Sequence, residues 1–230
     1  MIFLSVYAIS DLHLSFGSDK PMDIFKGWEN HPERIKANWN RLVKMEDTVI
    51  LPGDFSWALK LEDTKEDFLF LDSLNGQKII LKGNHDLWWG TKTKILQFFE
   101  KNEIKTVKVL FNDAFLVEGL SICGSRGWFY DNKDQSKKII LREANRLETS
   151  IKEGIRLGGE LTVFLHYPPV YKDYVCGEIL ETLKKYDIKT VFHGHIHGAP
   201  FHNATDNFDG IDFKLISCDC IDFTPLIIKK

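Results

Sequence analysis

A mixed α/β layered domain is the fold class this sequence predicts, and three observations point to it. Short apolar runs alternate with longer amphipathic ones along the chain. Helical patterns separate the strand patterns in the first half, and strand patterns then follow one another closely. The 230 residues are 43% hydrophobic and 27% charged, a soluble globular composition with enough material for one sizeable core. A single domain over residues 1–230 is expected, with a strand-pair and long-helix segment at about 106–158.

The elements follow in order. Phe3 to Ile9 reads as a buried strand. Pro32 to Met45 carries Ile35, Trp39, Leu42 and Val43 at helical spacing, with Pro32 suited to a first turn. Thr48 to Leu51 is a second strand. Thr64 to Leu74 reads as a helix capped by Thr64, its apolar face Phe68, Leu69, Leu71 and Leu74. Lys78 to Leu81 is a third strand, and Thr91 to Lys101 a helix with Ile95, Phe98 and Phe99 inward. Thr106 to Leu110, Ala114 to Glu118 and Leu120 to Cys123 read as short strands joined by turns at Asn112-Asp113 and Gly119. Ser136 to Leu157 is a long helix stopped by Gly158-Gly159. Leu161 to Leu165 is a strand, Val175 to Tyr186 a helix, Thr190 to Phe192 a strand, and Ile211 to Ile228 mostly strand-like. Tyr130 to Lys138 is polar and mixed in charge, and is expected to be a flexible surface segment.

Charge and composition narrow the function classes. The net charge is −3 and no basic block occurs, so there is no strong nucleic-acid signal. No apolar stretch approaches the length of a bilayer span, and the apolar start lacks a basic leader, so no membrane association and a cytoplasmic location are expected. Cys123, Cys176, Cys218 and Cys220 read as free thiols, because Cys218 and Cys220 lack zinc-site spacing and no second pair exists. Nothing in the sequence sets an oligomeric state.

The chemistry lies in where the polar residues fall. Asp11 and His13 follow the first strand, Asp54 the second, Asn84 and His85 the third. His166 closes the strand at Leu165, and His195 and His197 follow the strand at Phe192. Five strands thus release metal-type ligands at their C-terminal ends, the edge where α/β sheets bind ligands. Imidazoles with carboxylates suit two divalent cations of the Mn, Fe or Zn kind, and a carboxylate can bridge them. Gly53, Gly83 and Gly194 allow tight turns that bring the ligands close.

Asp11-Leu12-His13, Gly53-Asp54, Gly83-Asn84-His85-Asp86, His166 and Gly194-His195-Ile196-His197 occur in the order of the five motif blocks of calcineurin-like metallophosphoesterases. The chain resembles that superfamily over residues 11–197, and most of all its small stand-alone bacterial members described as phosphohydrolases. The resemblance implies a four-layer αββα sandwich of two mixed β-sheets flanked by helices, with the metal site at the C-terminal strand ends. It implies a first metal on Asp11, His13, Asp54 and His197, and a second on Asp54, Asn84, His166 and His195, with Asp54 bridging. His85 would face the scissile phosphate as general acid or charge stabiliser, and Asp86 would orient His85 or support the ligands. Metal-activated hydroxide would attack phosphorus in a small phosphomonoester or phosphodiester substrate. The protein Ser/Thr phosphatases of the superfamily carry an Asp-Arg-Gly after the second block and a Glu at the position of Asp86; this chain has neither.

Rival readings are a nuclease, a cyclic-nucleotide phosphodiesterase, and a non-catalytic metal-binding scaffold on the same fold. The full set of ligands and His85 argues against the scaffold. Arg126, in a Gly-flanked turn, is a candidate phosphate clamp, and Trp128 a candidate platform for the organic group. Trp57, Trp88 and Trp89 suit either core packing or the mouth of the site. His31 and His202 stand outside the motif blocks and read as ordinary hydrogen-bonding histidines.

Overall fold

The computed structural model describes residues 4–128, 137–198 and 203–230. Two sheets form its centre. The first has the order β13-β1-β2-β3-β4, from β1 (Val6–Ala8), β2 (Thr48–Pro52), β3 (Gln77–Leu81), β4 (Val107–Val109) and β13 (Leu226–Lys229). The second has the order β11-β12-β10-β7-β6-β5, from β5 (Phe115–Val117), β6 (Leu120–Ser125), β7 (Glu160–Leu165), β10 (Thr190–His193), β11 (Asn207–Phe208) and β12 (Ile211–Leu215). Both are mixed. β1 to β4 run parallel with β13 antiparallel at one edge, and β6, β7, β10 and β12 run parallel between antiparallel β5 and β11.

Alternation along each strand explains the layers. In β2, Val49 and Leu51 point to one apolar cluster while Ile50 points to another; β3 and β7 alternate likewise. Three apolar interfaces result. The first sheet packs outward on α1 (His31–Leu42), α2 (Lys65–Ser73) and α3 (Lys92–Lys101), through Trp39, Phe68 and Phe99. The second packs outward on α4 (Lys137–Leu157) and α5 (Gly177–Lys185), through Leu147, Ile151 and Leu183. Between the sheets, Val6, Ile50 and Ile79 meet Ile122, Phe164 and Ile216. Three interfaces make four layers, the αββα sandwich of two mixed sheets.

Several local expectations need correction. Thr64 does not cap α2 with its side chain; it ends a 3₁₀ turn, Leu61–Thr64, and its hydroxyl donates to the Leu61 carbonyl at 2.6 Å. Leu69 is exposed, because the cluster takes only Phe68, Leu71 and Leu74 from this helix. β4 does not pair with β5: it adds to β3 in the first sheet, and the chain crosses to the second sheet at Asn112-Asp113. The α5 helix starts at Gly177, since Val175 belongs to a hairpin of β8 (Val170–Tyr171) and β9 (Tyr174–Val175). Between β12 and β13 the chain turns rather than extends. Of the segment 130–138, residues 130–136 lie outside the described residues, while Lys137 and Lys138 begin α4. His202 and Phe3 also lie outside them. Among the described residues, no helix is long and apolar enough to cross a membrane.

Candidate metal centre

The parallel registers carry the C-terminal ends of β1, β2, β3, β7 and β10 to one edge of the sandwich. There the two sheets are pinned by a parallel bridge between Ser10 and Ser217. Asp11 follows at once, and its backbone N–H donates to the Gly53 carbonyl at 3.0 Å. The His13 N–H donates to the Asp54 carbonyl, also at 3.0 Å.

Two groups of ligand atoms result. Asp11, His13 and His197 form one; Asp54, His166 and His195 form the other. In the first, His13 Nε2 and His197 Nε2 lie 3.2 Å apart, and His197 Nε2 is 3.2 Å from Asp11 Oδ1. In the second, Asn84 Oδ1 lies 2.6 Å from His166 Nε2 and 2.9 Å from His195 Nδ1. One oxygen stands between the groups: Asp54 Oδ2 is 3.4 Å from His166 Nε2 and 3.9 Å from His13 Nε2. Ring nitrogens facing each other and carboxylate oxygens are a donor set that fits divalent cations. His166 Nδ1 donates to the Pro52 carbonyl at 3.0 Å and His197 Nδ1 to Asp219 Oδ1 at 2.9 Å, so each keeps Nε2 for the site.

The backbone is bent to make this possible. Asp11, His13, Asp54 and His195 all have positive φ, from 47° to 73°. A non-glycine residue there costs about 1–3 kcal/mol. The close approaches also need glycine at two places. A Cβ on Gly83 would fall 2.1 Å from Asp54 Oδ1, and one on Gly194 would fall 2.1 Å from Asp11 Oδ2.

Electrostatics follow from the crowding. Burial would raise the Asp11 carboxyl, but His197, His166 and His13 hold it well below the usual range. Asp54 is likewise held to about 2 against burial, mainly by His166. Burial lowers His13 to about 4 and His195 to about 3. His166 and His197 rise to about 9 and about 10: burial opposes this, and Asp54 for the first and Asp11 for the second outweigh it.

His85 stands at the rim. Its backbone N–H donates to Asp54 Oδ1 at 2.7 Å, and its ring lies 4.2 Å from that of Trp57, which also stacks on His13 at 4.7 Å. Asp86 is fully buried behind it. Its carboxylate accepts from the N–H groups of Gly83, Asp54, Phe55 and Ser56 and from Trp88 Nε1, so it braces the two turns that carry Asp54 and Asn84. Burial and the Asp54 charge push it up to about 6.

Arg126 and Trp128 stand one residue layer away. Arg126 Nη2 is 3.5 Å from Glu143 Oε1 and its guanidinium lies over Trp128 at 4.6 Å. Tyr167 stands between: its ring is 5.8 Å from Trp128 and 4.4 Å from His195. Trp88 is core, Trp89 packs partly buried against it, and His31 is buried against Trp28 and Phe223. Sequence reasoning missed Asp219, Ser217 and Trp28. Ser217 Oγ donates to Asp11 Oδ2 at 3.0 Å, and Trp28 packs on His197 at 5.6 Å. The Cys218–Cys220 pair drew attention to that stretch as a zinc question, while the residue that matters is the aspartate between them.

Comparison with known proteins agrees with this architecture. An uncharacterized protein of Methanocaldococcus jannaschii is 28% identical over 103 residues, 43% of this chain; the match spans only about half, 55%, of that relative's length. Solved structures share the fold at low identity. A protein of unknown function from Aquifex aeolicus has 18% identity and a TM-score of 0.53 over 98% of this chain and 96% of its own. The protein TT1561 of Thermus thermophilus has 14% identity and a TM-score of 0.57 over 99% of each. The phosphopantetheinyl hydrolase PptH of Mycobacterium tuberculosis has 16% identity and a TM-score of 0.51 over 93% of this chain and 88% of its own. The family profile described as calcineurin-like phosphoesterase matches residues 4–199, and the chain belongs to that family.

Proposed function

We propose that this protein is an enzyme that hydrolyses a small phosphomonoester or phosphodiester at a two-metal centre. The observation behind this reading is the Asp54 oxygen that belongs to one three-residue ligand group and lies 3.9 Å from His13 Nε2 of the other. Asp11, His13, His197 and Asp54 would hold one ion, and Asp54, Asn84, His166 and His195 the other. Mn, Fe or Zn suits these donors better than Mg or Ca. When bound, such a pair acidifies water and draws negative charge off a phosphoryl group.

The chain's own residues do the rest. Asn84 is fixed by the turn that Asp86 braces, and its amide helps seat the phosphoryl group. His85 reaches the leaving ester oxygen and gives it a proton. Burial lowers the His85 imidazole and Asp54 pulls it upward; an approaching phosphate dianion pulls it further in the same direction. Trp57 limits the motion of His85 and offers a flat wall to the organic part of the ester. All four cysteines are unpaired, which supports a cytoplasmic setting.

The test is a panel of mono- and diesters turned over by chelated protein and by protein resupplied with Mn²⁺, Fe²⁺ or Zn²⁺. Metal-dependent release of phosphate or of an alcohol from one class is expected. Protein that holds two ions and hydrolyses no ester would overturn the reading and favour a scaffold.

A further inference from the structure

A second polar site lies along the same edge, outside the metal centre. It is a cavity of about 200 Å³ where the ends of β3, β4 and β6 meet α4. Lys82, Arg126, Arg142 and Arg146 line it, and Glu143 is the only carboxylate among its lining residues. Four cations against one anion leave a formal surplus of three positive charges. The three guanidiniums all turn to one oxygen of Glu143, Oε1: Arg146 at 2.6 Å, Arg126 at 3.5 Å and Arg142 at 3.9 Å. Glu143 Oε2 is buried and has no hydrogen-bond partner among the described residues, and neither has Arg126 Nε. Glu143 itself is only 1% exposed.

This pattern is specific. The cations are crowded: Arg126, Arg142 and Arg146 share one carboxylate oxygen, and Lys82 lines the same cavity. A crowded, partly dry cationic cavity is relieved by an anion, and arginine forks suit tetrahedral oxyanions. A ligand that satisfies these cations carries several anionic oxygens on one centre.

We propose that this cavity binds a phosphoryl group, either free phosphate or a second phosphate on the substrate. Arg126, Arg142, Arg146 and Lys82 take its anionic oxygens, and Glu143 holds the three guanidiniums together through Oε1. The volume is ample for a tetrahedral oxyanion. Lys82 is two residues from Asn84, so the two sites are close enough for one bis-phosphorylated molecule to span.

Calorimetric titration of the whole chain with inorganic phosphate, with and without Mn²⁺, tests the site apart from the metal reading. A phosphate site that persists without added metal is expected. Sulfate, also a tetrahedral oxyanion, should compete with phosphate for it. Arg142 is 56% exposed, so Arg142→Gln should melt like the parent and still weaken phosphate about tenfold. Phosphate binding seen only with Mn²⁺, or phosphate binding as tight in Arg142→Gln as in the parent, overturns the proposal. Kinetics then separate the two sources. A rise in KM for a bis-phosphorylated ester in Arg142→Gln assigns the group to the substrate, and an unchanged KM with weakened phosphate binding assigns it to free phosphate.

Discussion

The two candidate ligand groups meet at Asp54, which belongs to the second and faces His13 of the first, and they are held in different ways. His197 of the first is 28% exposed and is clamped by the Asp219 carboxylate; His166 of the second is fully buried and is clamped by the Pro52 carbonyl. The first group also leans on aromatic rings, Trp28 and Trp57, whereas the second sits against Tyr167 and the backbone of β2. A charged clamp at the solvent edge makes a more basic but more accessible ligand, and a buried neutral clamp makes a rigid one. The first ion should therefore exchange faster, with the second acting as the anchor.

The largest effect tests what the groups share. Asp54→Asn is expected to lose both ions together and to lower kcat/KM by about three decades or more. Metal analysis after dialysis checks it, and full two-metal content in the variant would break the shared-ligand assignment. A smaller effect belongs to the rim rather than to either group. His85→Asn should keep its metals yet cut turnover of alkyl phosphate esters by about 10²–10⁴-fold, with a much weaker effect on nitrophenyl esters that need no proton. Equal losses on both would point to charge stabilisation instead.

The contrast itself is tested by the clamp. Asp219→Asn should weaken the first ion about 10–100-fold and leave the second unchanged. Equal weakening of both would mean that the groups are not independent.

The smallest effect on the site concerns the floor beneath it. Asp67 accepts from the Phe16 N–H and from the Ser56 hydroxyl, close to the Asp54 turn, and burial raises it to about 6. The folded state then holds this proton more tightly than the unfolded chain. Its contribution is fully present below about pH 4 and is lost as pH rises through about 6. Relative to Asp67→Asn, the parent should lose about 2 kcal/mol between pH 4 and pH 7, with metal content unchanged. Urea unfolding at each pH measures that difference, and a pH-independent gap would show that Asp67 stays ionised.

Much of the candidate site was legible because its metal-type residues follow strand ends, and strand ends are visible as the close of an apolar run. Asp54 after Pro52-Gly53 and His166 after Leu165 are read in this way. Arg126 was visible as a residue but not as a partner, because only the packing of α4 sets Glu143 beside it. Asp219 was invisible for a related reason: it lies 22 residues from His197 and in a different turn.

The sequence alone determined the layered class, the order of most elements and the identity of the metal-type residues, since apolar periodicity and residue chemistry are local properties. The tertiary structure decided which sheet each strand joins, that β4 and β5 part company, and which ligand shares a group with which. It also set the left-handed backbone at Asp11, His13, Asp54 and His195. Those choices depend on contacts between segments far apart in the chain, and a strained φ persists only where such contacts overdetermine it.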